Sequence, residues 1–286
     1  MSRQPDVQPQ PAATETPAGP DQVALAQRLR ALHVPGEPLV LVNVWDVAGA
    51  RVVAAAGARA IATASYAISA SLGVPDGEGM GLADNLAVVG RVAAAVRVPV
   101  TADLERGYGR TPDDVAASVT ALLGTGAVGC NLEDSLVGLG EAGEGTGLRD
   151  VADQVERLRA ARAAGDRAGV PLVINARTDG MGRGGSVDEA VARGSAYLEA
   201  GADCVFVVGS VSLADVRRLA DAFEGRLNVL GRPGMATITE LAAARVCRIS
   251  IGSSGIGITH GALHRAAGQL LTRGDYLADQ SFALPR

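Results

Sequence analysis

The chain has 286 residues, 48% of them hydrophobic but only 3% aromatic, with a positive mean hydropathy and a net charge of -5. Such a composition builds a large core from small and branched side chains, and the acidic balance without a long basic run argues against nucleic acid or an anionic membrane as the main partner. A small-molecule substrate is expected, in the cytoplasm by default, since no apolar run is long enough to span a membrane and the N-terminus lacks the apolar core of a secretory signal.

Residues 1–20 are rich in Pro, Gln, Ala and Thr without apolar periodicity and read as a disordered tail, after which Asp21 caps a helix to about His33. One domain is expected over 21–286. Eight β-rich runs follow: Leu39 to Trp45, Ala60 to Tyr66, Val98 to Glu105, Gly129 to Ser135, Leu172 to Asp179, Cys204 to Ser210, Leu227 to Arg232 and Arg248 to Ser254. Between them lie segments with helical spacing, such as Pro112 to Leu123, Asp150 to Ala168, Val187 to Glu199, Leu213 to Phe223 and Thr237 to Ala244. Gly57-Ala58, Gly126-Ala127, Gly169-Val170 and Gly201-Ala202 each close a helix and open a strand. Apolar strands alternating with helices imply a parallel sheet covered by helices, and eight units favour an α/β fold of the (β/α)₈ barrel type over an open doubly wound sheet. Cys130, Cys204 and Cys247 show no metal-ligand spacing and read as buried small hydrophobes.

A barrel places its chemistry where strands end and βα loops begin. The unusual residues gather there: Asp46, Ser65 and Tyr66, Asp103 and Glu105, Glu133 and Asp134, Arg177 and Asp179, Asn228 and Arg232, and Gly252 to Ser254. Asp103 and Glu105 stand two apart, so an extended backbone aims both into one space. Oxygen donors without nearby His or Cys favour Mg²⁺, or else Mn²⁺, over Zn²⁺, and Mg²⁺ takes only one or two carboxylates directly while keeping several waters.

Other signals are weaker. Gly138 to Gly143 match G-x-G-x-x-G, but Glu141 and Glu144 would face a pyrophosphate, so the stretch Val137 to Gly147 reads as a mobile lid. Gly252 to Gly257 serve barrel closure as readily as phosphate binding. His33, His260 and His264 read as surface or interface residues, and Trp45 and Tyr66 are candidates for either pocket or core.

Six ordered blocks carry a family resemblance: N-V-W-D-V-A-G-A-R (Asn43 to Arg51), A-T-A-S-Y-A-I-S-A-S-L-G-V-P-D (Ala62 to Asp76), A-D-L-E-R-G-Y-G (Ala102 to Gly109), N-L-E-D-S (Asn131 to Ser135), I-N-A-R-T-D (Ile174 to Asp179) and N-V-L-G-R-P-G (Asn228 to Gly234). Over roughly Leu39 to Tyr276 the chain resembles the isocitrate lyase and phosphoenolpyruvate mutase superfamily. The resemblance implies a Mg²⁺-dependent barrel enzyme that makes or breaks a C–C or C–P bond of a 2-oxo acid next to an enolate. It implies Asp103 as the direct metal ligand, with Asp76, Glu105 and Glu133 holding metal-bound waters. Backbone N–H groups around Ser65, Tyr66 and Ala67 would receive the substrate carboxylate, with Arg177 at the oxo-acid oxygens. Asn228 joins the expected substrate contacts, and Arg177, Glu133 and Tyr66 form the expected catalytic set. Homo-oligomers are implied as well, tetramers or dimers, with the C-terminal helix from Thr259 to Arg273 exchanged between subunits.

Departures from the family select the reaction. Isocitrate-type lyases carry a K-[KR]-C-G-H lid, and phosphoenolpyruvate mutases and phosphonopyruvate hydrolases a lid with Lys and Asn. Ser135 to Arg149 contain no Cys, Lys, His or Asn. Glu105 also stands where many members have Asp. A lyase or decarboxylase of an oxaloacetate-like 2-oxo acid, working through a metal-stabilised enolate, asks least of such a lid. C–P chemistry is the alternative within the family, and a non-catalytic carboxylate-binding barrel is the alternative outside enzymology.

Overall fold

The structure is a computed structural model that describes residues 20–136, 147–209 and 211–275. The expected tail and nearly all of the expected lid therefore lie outside the described residues.

In chain order the elements are α1 (Pro20–Ala31), β1 (Leu39–Leu41), β2 (Asn43–Val44), α2 (Val47–Ala55), β3 (Ile61–Thr63), α3 (Ser65–Leu72), α4 (Leu82–Ala95), β4 (Val100–Asp103), α5 (Pro112–Leu123), β5 (Gly129–Glu133), α6 (Val151–Arg167), β6 (Val173–Thr178), α7 (Val187–Glu199), β7 (Cys204–Val207), α8 (Leu213–Ala222), β8 (Leu227–Leu230), α9 (Ile238–Ala243), β9 (Arg248–Ser250) and α10 (Ser254–Arg273). A 3₁₀ turn, Met181–Arg183, follows β6. All strand pairs are parallel, in the order β1-β9-β8-β7-β6-β5-β4-β3-β2. The eight expected strands are present, the first in two pieces: β1 pairs with β9 and β2 with β3, so one short run joins both edges of a nearly closed barrel.

Local sequence explains many of the helix starts. Thr111 with Asp114, Ser186 with Glu189, Ser212 with Asp215 and Thr237 with Glu240 form capping boxes that satisfy N–H groups otherwise left open at the starts of α5, α7, α8 and α9. Each such cap stabilises its helix by about 1 kcal/mol. The closing glycines behave as their position predicts, with φ of 89° at Gly126 and 101° at Gly201, where a Cβ would be strained.

Helix α1 crosses the entrances of β5, β6 and β7. Gln22 Nε2 donates to the carbonyls of Leu123 (2.8 Å) and Ala127 (3.3 Å), and Arg30 pairs with Asp203 at 2.9 Å. Leu29 of this helix is fully buried and reaches Gly129, where an added Cβ would stand 2.8 Å from its Cδ2. The barrel interior above is polar: Asn175 donates to Asn131 Oδ1 at 2.8 Å, and the fully buried Arg248 reaches the same oxygen at 3.2 Å. All three cysteines are buried and free, as expected. None of the described helices is long and apolar enough to cross a membrane.

His33, expected at the surface or an interface, is half-buried. Its Nδ1 lies 2.8 Å from the Leu29 carbonyl, and its Nε2 is buried without a partner among the described residues. Burial first, and then the nearby Arg248, lower its pKa from 6.5 to about 4. A base depressed in the folded state gives stability that is present above its unfolded pKa and lost as the pH falls from 6.5 toward 4. Between pH 7 and 5 the wild type should therefore lose on the order of 1–2 kcal/mol more than His33→Gln, read from urea midpoints. Equal losses would show that His33 is not the linked group.

Candidate active site

At the C-terminal ends of the strands lies a cavity of about 340 Å³ whose lining includes Ser65, Tyr66, Asp76, Asp103, Arg177 and Arg232. A larger cavity of about 420 Å³ beside α7 is lined by Leu148, Arg183, Glu189 and Arg193 and holds none of the expected site residues.

Asp103 ends β4 and is 8% exposed. Its Oδ2 accepts the Ser65 N–H (3.3 Å) and hydroxyl (3.1 Å), its Oδ1 accepts the Glu105 N–H (3.2 Å), and Thr63 Oγ1 accepts its own N–H (3.1 Å). Asn85 in α4 donates to the Asp103 carbonyl at 3.0 Å. These contacts fix one carboxylate at the pocket wall from three directions.

Glu105 does not reach the cavity by strand alternation. The strand stops at Asp103, and Glu105 adopts φ 48°, the left-handed region, which turns its side chain aside. There it accepts the Glu78 N–H at 2.5 Å and the Tyr108 hydroxyl at 3.1 Å, while Glu78 accepts the Tyr108 N–H at 2.8 Å. Burial, then Asp103 and Asp76, push its carboxyl up to about 7.

Strand alternation does separate Glu133 from Asp134. Glu133 pairs with Arg177 at 2.8 Å, whereas the fully buried Asp134 faces outward, accepting the Tyr197 hydroxyl at 2.8 Å and the Asp179 N–H at 3.1 Å. Burial raises the Glu133 carboxyl above its usual range; Arg177 opposes the shift, and Asp179, Asp103 and Glu105 reinforce it. Arg177 also donates from Nε and Nη2 to Asp179 at 2.6 and 2.9 Å. Burial alone would lower that guanidinium, but Glu133 and Asp179 hold it above its ordinary value. Phe206 lies under it, 6.0 Å from ring centroid to Cζ.

Among the three backbone N–H groups expected to meet a substrate, Ser65 already donates to Asp103 and Ala67 to the Ala64 carbonyl at 3.1 Å. The Tyr66 N–H, in the first turn of α3, is the one of the three left open among the described residues, and the Tyr66 side chain is 54% exposed at the mouth. Asn228 lies below the cavity, fully buried and 3.3 Å from Ser250 Oγ. Asp46 caps α2 through the Gly49 N–H, and Trp45 packs with Ala64, Ala67 and Ile256 in a small core. His260 and His264 are exposed on α10.

The donor set fits a hard divalent cation held largely through water. Among the described residues no three carboxylates stand close enough to ligate one ion directly. Burial raises Glu105 and Glu133 first and neighbouring carboxylates add to it, although Arg177 opposes the shift at Glu133, and a dication would offset that remaining repulsion. The supporting residues Thr63, Glu78, Asn85 and Tyr108 escape sequence reading. Asn85, a polar residue on the apolar face of α4, is the one with a visible signal.

A parallel barrel with an acidic cluster and an arginine clamp at its strand ends defines the class. The profile of the phosphoenolpyruvate phosphomutase family matches residues 29–271, and the chain belongs to that family. It is 33% identical to 2-methylisocitrate lyase of Escherichia coli over 62% of this chain and 60% of that one, and 30% identical to oxaloacetate decarboxylase of Chromohalobacter salexigens over 80% and 79%. A Burkholderia cenocepacia crystal structure with a provisional phosphonomutase name shares 41% identity and a TM-score of 0.81, covering 89% of this chain and all of that one.

Mg²⁺ should raise the melting temperature of the wild type and leave Asp103→Ala unmoved in the same titration. Ser65→Ala, which removes one hydrogen bond to a charged oxygen, should weaken the Mg²⁺ response about tenfold in concentration. An unchanged response in Asp103→Ala would remove Asp103 from the metal set.

Proposed function

We propose that this protein is a Mg²⁺-dependent lyase or decarboxylase that breaks a C–C bond of a 2-oxo acid through an enolate. The observation that carries the reading is the facing pair in one cavity, Asp103 anchored by Ser65 on one wall and Arg177 held between Glu133 and Asp179 on the other.

Cleavage next to a keto group leaves an electron pair that must be delocalised onto the keto oxygen. One route is a Schiff base on lysine, and the chain contains no lysine. The other is Lewis-acid catalysis: a bound Mg²⁺ would stabilise charge at the keto oxygen, with Asp103 as its ligand and Asp76 and Glu133 as candidates for its waters, while Glu105, turned toward Glu78 and Tyr108, would add charge rather than a contact. The chain's own residues do the rest. The Arg177 guanidinium offers planar donors to the oxo-acid oxygens, a geometry a lysine ammonium lacks. Ser65 keeps Asp103 in place, and the open Tyr66 N–H at the start of α3 receives a substrate carboxylate with the favourable end of the helix dipole. Tyr66, exposed at the cavity, is proposed as a donor of the proton to the carbon left behind, a role that a metal-bound water would serve as well.

The 41% identical phosphonomutase-named structure favours a second reading, rearrangement or hydrolysis of a C–P bond at the same cavity. Against it stands a lid sequence without Lys or Asn. Self-association is proposed through α10, which exposes Ile258, Leu263 and Leu271 at 68%, 66% and 83%. A second copy covering those side chains would be lost on Leu263→Glu with Leu271→Glu, seen as a drop in mass by light scattering; an unchanged mass would place the interface elsewhere.

The reading is tested by ¹H and ³¹P NMR of the protein with oxaloacetate, 2-methylisocitrate and phosphonopyruvate, each with Mg²⁺ and with EDTA, against enzyme-free controls because Mg²⁺ alone decarboxylates oxaloacetate. Enzyme-dependent loss of a C–C substrate, abolished by EDTA and reduced at least 100-fold in Arg177→Lys, is the expected result. Movement of the phosphonopyruvate ³¹P signal alone would replace it with C–P chemistry, and silence with all three would favour a binding protein.

A further inference from the structure

The cavity holds two arginines in unlike states. Each nitrogen of Arg177 already meets one of the chain's own carboxylates, Nη1 Glu133 at 2.8 Å and Nε and Nη2 Asp179 at 2.6 and 2.9 Å, which leaves only the second N–H of each Nη for a ligand. Arg232 lines the same cavity, and its side chain makes no hydrogen bond or ion pair among the described residues.

The backbone around Arg232 is pinned on both sides. Before it, the Gly231 N–H donates to the Ser250 carbonyl at 2.8 Å, and a Cβ on Gly231 would stand 3.0 Å from Ile249 Cγ2. After it, the Met235 N–H returns to the Arg232 carbonyl at 3.2 Å, closing a turn with Pro233 at its second position and Gly234 at its third with φ 84°. That is the residue pattern of a type II turn. Arg232 therefore sits on a fixed base while its guanidinium remains uncommitted. Asp76 and Asp103 give the cavity an acidic side, and Arg232 supplies a cation beyond the neutralised Arg177.

We propose that Arg232 is a specificity-determining residue that receives a second anionic group on the substrate, so that the site selects 2-oxo acids bearing a carboxylate or phosphonate beyond C3 over those with an apolar tail. A planar guanidinium binds either oxyanion with paired hydrogen bonds, and an apolar tail at the same place would leave it without a partner. The inference rests on the proposed oxo-acid reading of the cavity.

Oxalate and stable 2-hydroxy acids serve as probes, because they chelate Mg²⁺ without losing CO₂. Calorimetric titration of the Mg²⁺-loaded full chain compares oxalate, lactate, malate and 2-hydroxy-3-phosphonopropionate. Lactate differs from the last two only in a methyl hydrogen replaced by the anionic group, and oxalate has no tail. Wild type should bind malate or the phosphonate at least tenfold more tightly than lactate; whichever is tighter identifies the distal group. Arg232→Gln should erase most of that preference, and Arg232→Lys should keep part of it. Oxalate affinity should stay within twofold in both variants, which also shows that they are folded. A preference that survives Arg232→Gln, or its absence in wild type, would overturn the assignment to Arg232 while oxalate binding leaves the oxo-acid reading standing. Failure of oxalate to bind wild type would sink the oxo-acid reading and this inference with it.

Discussion

Mutual repulsion among carboxylates is the constraint around which the top of the barrel is organised. Burial first, and then facing carboxylates, raise Glu105 and Glu133, with Asp103 and Asp76 acting on Glu105 and Asp179, Asp103 and Glu105 on Glu133, and Asp103 and Glu133 are each less than a tenth exposed. Bringing such groups together in a folded state is costly unless hydrogen bonds and counter-charge offset it. The chain supplies both unevenly. Asp103 takes three hydrogen bonds from Ser65 and Glu105, whereas Glu133 relies on Arg177. A site built this way is poised to take up positive charge.

That arrangement depends on the bottom of the barrel. Strands β4, β5 and β6 must end at defined heights for Asp103, Glu133 and Arg177 to share a cavity, and their register is set where Asp103 pairs with Asn131 and Glu133 with Arg177. Helix α1 crosses the entrances of β5, β6 and β7, with Leu29 filling the space that Gly129 leaves open. Asn131, Asn175 and Arg248 fill the interior between α1 and the site with polar groups joined through Asn131 Oδ1, while Asn175 Oδ1 and Arg248 Nε and Nη1 lack a partner among the described residues.

Asp134 and Glu133 illustrate how adjacent acids divide labour. Strand geometry sends one inward to Arg177 and the other outward, where Tyr197, the Asp179 backbone and Arg193 secure it between β6 and α7. Asp179 in turn holds Arg177, so the outward acid steadies the inward clamp through the loop after β6. Support and chemistry are thus carried by neighbours in sequence that face opposite sides of one sheet.

The sequence alone determined the strand and helix alternation, the capping boxes and the gathering of unusual residues at strand ends, because each depends on local periodicity or on contacts within a few residues. The six motif blocks were enough to place the chain in its family. What only the tertiary structure decided is how those residues face one another. Glu105 was read as an inward partner of Asp103 by alternation, which fails because the strand ends one step earlier at a left-handed turn. His33 read as a surface or interface residue, and the structure buries its Nε2 within the field of Arg248. Arg232 stood among the strand-end residues without a role, and the difference between it and Arg177 lies in which carboxylates stand within reach, a matter of distances across the barrel that no spacing along the chain encodes.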